Sequence, residues 1–171
     1  MKIVALALTT FALSAAAHDG PTPNRVDVSP RLTTSGQPTR AFLETLKEQG
    51  YEVVVYLAPP TVPDAVAEED RIVGKQGLVF VNIPIVWEKP TAADFDAFTR
   101  VMQAFAGRQV WVHCQMNLRA SSMVFLHRVI TLKDPPERAW ESVQRAWVPN
   151  ATWKAYILAT LKANGVAYEP L

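Results

Sequence analysis

"VWVHCQMNLRASSMVFLHRV", residues 110–129, holds the single cysteine of a 171-residue chain. The run up to His113 is bulky on both alternating faces, as in a strand buried between two layers. From about Ala120 to Leu132 the pattern is helical, and the "DPP" that follows at residues 134–136 breaks it. Cys114 therefore falls in a short turn between a strand end and a helix start. Backbone N–H groups gather in such a turn and the helix dipole adds partial positive charge, so the turn suits an anion. The same dipoles favour the thiolate form of a sulfur placed there. Arg119, five positions after Cys114, has a planar fork that matches two oxygens of a phosphate-like or sulfate-like group. The competing structural reading is a small, inert, buried cysteine and an arginine that bonds a loop carbonyl.

Working outward, short apolar runs alternate with helical patterns. "YEVVVYLA" (51–58), "LVFVNIPI" (78–85) and "QVWVH" (109–113) read as buried strands. Gly36 and Pro38 mark a turn. Thr39 then caps a helix with Phe42, Leu43 and Leu46 on one face, which stops at Gly50. A second helix is expected from about Asp64 to Lys75. A third starts at Pro90 and Thr91 and carries the stripe Phe95, Phe98, Val101, Met102 and Phe105. Two more cover roughly 137–147 and 151–163, with Trp140, Trp147, Trp153 and Tyr156 expected in the core. Residues 18–34, rich in Pro, Thr and Ser, are expected to be irregular. The order α-β-α-β-α-β-α-α-α argues for an α/β fold, a parallel central sheet flanked by helices, in a single domain over 18–171. Ligands of such sheets sit outside the carboxyl ends of the strands, where Cys114 falls.

The formal net charge is +1, so no nucleic-acid partner is expected. "MKIVALALTTFALSAAAHDG" has a basic start at Lys2, an apolar run from Ile3 to Leu13, and small residues up to Ala17. It reads as a secretory signal peptide over 1–17, cut before His18, which implies an exported and, in a bacterium, periplasmic protein. No other stretch approaches membrane-spanning length. There is no HExxH, P-loop or dinucleotide fingerprint, so neither a cofactor nor a metal is expected. Oxidising compartments favour paired cysteines, which makes the lone Cys114 notable.

At the end of its buried strand, "VHCQMNLRAS" resembles the signature loop of cysteine-dependent tyrosine and dual-specificity phosphatases. The succession "TSGQPT", "VVVYLAPP", "GLVFVNIPIVWEKPT" and "VWVHC" resembles a small bacterial phosphatase-like family that also occurs beside β-lactamase-like hydrolase domains. The resemblance spans roughly residues 25–130. It implies that Cys114 is the nucleophile forming a cysteinyl-phosphate, that Arg119 binds the phosphate and that His113 supports the loop. It also implies a cradle of amides from Gln115, Met116, Asn117, Leu118 and Arg119. By placement it makes Glu88 the general acid, with Asp94 and Asp64 as further choices. The substrate would be a phosphorylated small molecule or protein.

Three departures from that family matter. Four residues, rather than five, separate Cys114 from Arg119, which is the spacing of rhodanese-like sulfurtransferases. Asn117 stands where a glycine is usual, and asparagine is the best substitute if φ must be positive. Ala120 replaces the hydroxyl residue after the arginine, leaving Ser121 to serve on the phosphate. Besides the phosphatase, a sulfurtransferase using a Cys114 persulfide and a catalytically silent anion-binding module therefore stay open.

Overall fold

The computed structural model describes residues 20–170. The expected signal peptide lies outside the described residues. Five strands, β1 (Val26–Ser29), β2 (Leu32–Ser35), β3 (Val53–Tyr56), β4 (Val79–Asn82) and β5 (Val110–His113), form one sheet in the order β1-β2-β5-β3-β4. β2, β5, β3 and β4 are parallel, and β1 is an antiparallel edge strand paired with β2. The sheet is thus parallel except at one edge.

The central strands β3 and β5 are apolar on both sides because both sides are covered. Side chains alternate along a strand. Val53, Val55, Val110 and Val112 face one core, with helices α3 (Ala92–Ala104), α4 (Leu118–Ile130), α5 (Pro136–Gln144) and α6 (Ala151–Ala163). Val54 and Trp111 face the other core, with Leu43 of α1 (Arg40–Leu43), and Ile72 and Val73 of α2 (Glu69–Lys75). Each such side chain contributes about 1.5–3 kcal/mol by leaving water. Trp111 is fully buried, and its indole N–H donates to Ser35 Oγ at 2.9 Å. Trp140 and Trp153 are buried as expected, while Trp147 and Tyr156 are partly buried against the same core.

Helix ends follow their capping residues. Thr91 and Asp94 form a reciprocal capping box on α3, Asn150 caps α6 through Trp153 N–H, and Thr39 caps α1 through Phe42 N–H. α4 runs through the centre of the molecule, with ten of its thirteen residues buried. A helix buried on nearly every side loses the one-sided apolar stripe, so its amphipathic signal is weak.

The structure corrects several expectations. Residues 26–35 are a hairpin, not irregular chain. Thr33, Thr34 and Ser35 are buried there despite their polarity, and Thr33 Oγ1 is satisfied by Asp27 and Tyr51. The helix expected from Asp64 begins only at Glu69, because Glu68 takes a left-handed φ of 58°. The helix after Thr39 keeps four residues before loosening into turns. α4 starts at Leu118, so Arg119 lies in its first turn. No helix among the described residues is long and apolar enough to cross a membrane.

Candidate active site

β5 delivers Cys114 to the carboxyl edge of the sheet, and α4 begins four residues later. The Cys114 side chain is buried, and its N–H donates to Ser35 C=O at 3.3 Å. Asn117 turns the chain into α4 with φ 67°, the left-handed region that asparagine tolerates better than most residues. Among the described residues, the N–H groups of Gln115, Met116, Leu118 and Arg119 meet no backbone acceptor. Those of Leu118 and Arg119 are orphan donors of the α4 start, and those of Gln115 and Met116 belong to the loop before it. Trp87, Cys114, Gln115, Met116, Leu118 and Arg119 line a pocket of about 180 Å³.

Arg119 is almost fully buried, yet no carboxylate pairs with it among the described residues. Its Nε donates to Ile85 C=O at 3.0 Å, and its guanidinium lies 5.1 Å from the Trp87 ring centroid. Its Nη1 is 3.4 Å from Gln115 Oε1, and Gln115 Nε2 donates to Asp64 Oδ1 at 2.7 Å. Gln115 thus ties the arginine to the loop after β3. A buried cation held by two neutral carbonyl oxygens and one ring keeps most of its demand for an anion.

His113 sits behind Cys114 in a polar cluster. Its ring stacks on Tyr56 at 4.7 Å, as expected of in-register residues on adjacent parallel strands. Its Nε2 lies 2.7 Å from Glu69 Oε1, a close polar contact without the alignment of a straight hydrogen bond. The other Glu69 oxygen accepts from Gln37 Nε2 at 2.9 Å. Burial pushes the Tyr56 phenol far up, and the neighbouring carboxylates Glu69 and Asp64 push it further, so it stays neutral.

The remaining expected residues are spread out. Glu88 is exposed in the turn that follows Trp87. Asp94 is engaged in the α3 capping box, and Asp64 is held against the Cys114 loop by Gln115. The Ser121 hydroxyl is buried and donates to Asn117 C=O at 2.7 Å. His127 is buried in α4, its ring edge-on to Phe98. Sequence reasoning missed Trp87, Glu69, the side chain of Gln115, and Asn24, whose amide reaches Met116 C=O. Trp87 carried a signal, as the residue directly before Glu88. Glu69 carried none, since an acid inside a helix expected from Asp64 is usual on a solvated face.

Comparison with known proteins agrees with this architecture. The PTP-NADK family, described as "DSP-PTPase phosphatase fused to NAD+ Kinase", matches residues 11–155, and the chain belongs to it. Beta-lactamase hydrolase-like proteins of Xylella fastidiosa and Agrobacterium fabrum are 32% identical over 109 residues and 30% identical over 105. Those stretches cover 61% and 59% of this chain but only 25% and 24% of the relatives, so the chain spans about a quarter of their length. A crystal structure of a DUF442 protein from Shewanella putrefaciens, described there as a phosphatase, superposes with a TM-score of 0.76 at 27% identity. It covers 84% of this chain and 94% of its own. PTPMT1, solved in complex with PI(5)P, gives a TM-score of 0.69 at 14% identity over 82% and 96% of the two chains, a likeness of fold alone. The protein is thus a cysteine-phosphatase-superfamily member of the dual-specificity type.

Proposed function

We propose that the chain is an exported hydrolase of phosphomonoesters that works through a cysteinyl-phosphate on Cys114. One observation carries this reading: the buried Arg119 lacks a carboxylate and sits beside Cys114 in a pocket with unpaired loop N–H groups. The Cys114 thiolate attacks phosphorus, the P–O ester bond breaks, and the leaving oxygen takes a proton from a carboxylic acid. Water then attacks phosphorus, passing a proton to the carboxylate left by the first step, and the S–P bond breaks to release phosphate and the thiolate. Arg119 and the loop N–H groups bind the phosphoryl oxygens, whose charge shifts in each transition state.

Glu88 is the proton donor in this reading, because it follows Trp87, which lines the pocket. Asp64 is the comparator, since its carboxylate is already engaged by Gln115. Glu88→Gln should slow alkyl phosphates more than p-nitrophenyl phosphate, whose leaving group needs little protonation. An equal effect on both would move the role elsewhere.

The direct test is turnover of p-nitrophenyl phosphate and its inhibition by vanadate. Wild-type activity that Cys114→Ser abolishes supports the mechanism, and full activity in that variant would overturn it. The four-residue loop also motivates a sulfurtransferase reading, in which Cys114 carries a persulfide. Cyanide-dependent thiocyanate formation from thiosulfate, without phosphate release, would select it. Export rests on the leader-like residues 1–17. The N-terminal residue of the protein recovered from the producing cell tests that directly, and an intact Met1 would overturn it.

A further inference from the structure

A loop that offers its N–H groups to an anion has to place its carbonyls elsewhere, because each peptide unit is planar and holds the two groups in opposition. Here every carbonyl from Gln115 to Leu118 has a donor. Gln115 C=O accepts from Gln37 N–H at 2.9 Å, and Met116 C=O accepts from Asn24 Nδ2 at 3.0 Å. Asn117 C=O accepts from Ser121 N–H and Oγ, and Leu118 C=O accepts from Ser122 Oγ at 2.9 Å. Ser121 and Ser122 belong to α4 itself. Gln37 and Asn24 come from outside the loop.

Asn24 is engaged twice. While its amide holds Met116 C=O, its own C=O accepts from Asn117 Nδ2 at 2.6 Å. Both asparagines are left-handed, with φ 49° and 67°. The segment around Asn24 is anchored in turn. Pro23 C=O accepts from Gly36 N–H at 2.6 Å, and Pro21 C=O accepts from Thr39 N–H at 2.9 Å. A Cβ on Gly36 would sit 2.7 Å from Gln115 O and 3.1 Å from Pro23, so only glycine lets the three segments stack this closely.

We propose that residues 21–24 are a strap that holds the Cys114 loop in its anion-binding form, with Asn24 as a positioning residue acting through Met116 and Asn117. The inference rests on the anion-binding reading of the same site. Asn117 therefore does more than supply a positive φ. Its side chain ties the turn to Asn24, and Asn24 in turn holds the Met116 carbonyl, whose peptide unit carries the Asn117 N–H and precedes the unit that carries the Leu118 N–H. The clamp takes the place of the glycine that the loop lacks.

The test uses Asn24→Ala, Asn117→Gly and the double variant, with inorganic phosphate binding by calorimetry, p-nitrophenyl phosphate kinetics and thermal midpoints. Asn117→Gly keeps the left-handed turn accessible and removes only the tie. Each single variant should weaken phosphate binding about tenfold and raise KM, with little change in thermal midpoint. The two substitutions remove different bonds of the same strap, so the double variant should lose less than the sum of the two single losses. Phosphate affinity in Asn24→Ala within about twofold of the parent, or losses that add in the double variant, overturns the strap. A parent that binds phosphate but hydrolyses no phosphomonoester sinks the phosphatase reading, while the strap is still decided by the affinities. A parent that binds no phosphate overturns both.

Discussion

Arg119 carries the positive charge of the pocket, and its geometry says how that charge is used. Nε is committed to Ile85 C=O and the plane rests against Trp87, so the fork is aimed rather than free to search. Arg119→Lys keeps the charge and loses the fork. It should lower kcat/KM for p-nitrophenyl phosphate by about a hundredfold, in line with the loss of a donor to developing charge. Full activity in steady-state assays would show that a point charge suffices. Gln115→Leu frees the arginine from Asp64 without touching the charge, and a several-fold rise in KM is expected. Cys114 and Arg119 were legible in the sequence because their chemistry is local, with a strand before them and a helix after. Asn24 was not, because its partners lie 92 and 93 residues away.

Among the elements, strands β3 and β5 were readable from their continuous apolar runs, since a strand covered on both faces needs nothing else. β4 was readable from the same kind of run, though it lies at the sheet edge with its residues only partly buried and Val79 exposed. The β1–β2 hairpin was not. Its strands are four residues each, and β2 buries Thr33, Thr34 and Ser35 rather than aliphatic side chains. Yet the hairpin leads directly to Gly36, where the strap, β2 and the Cys114 loop meet. Gly36→Ala should cost roughly 1–3 kcal/mol in denaturant unfolding, because the new methyl meets backbone on two sides. An unchanged midpoint would show that the segments can part without loss. The start of α2 supplies a second case. Glu69→Leu leaves Gln37 and His113 without their buried partner and should destabilise by about 3 kcal/mol in the same assay. Glu69 looked like an ordinary solvated helix acid in the sequence, and only its contacts with Gln37 and His113 reveal its use.

The whole molecule should respond to acid through α4. Burial holds the His127 imidazole below its ordinary range, with Asp134 opposing weakly. Phe98 and Thr99 of α3 face the same ring. The unfolded chain therefore binds the proton more readily. Stability from this group is intact above about pH 6.5 and is lost as pH falls towards the lower folded value. Denaturant midpoints at about pH 7.5 and about pH 5 should differ more in the parent than in His127→Leu, because only the parent gains that proton on unfolding. Equal differences would remove His127 as the cause.

The Asn24 to Asn117 tie also bears on the order in which the molecule assembles. Closing a loop of 93 residues is entropically slow compared with forming a hairpin or a helix. The strap can dock only after β5 has slotted between β2 and β3, since it grips the turn that β5 delivers. Anion binding is therefore a late product of folding. A chain stalled before that step would already hold its sulfur at the end of a strand, with the carbonyls around it still free to turn the wrong way.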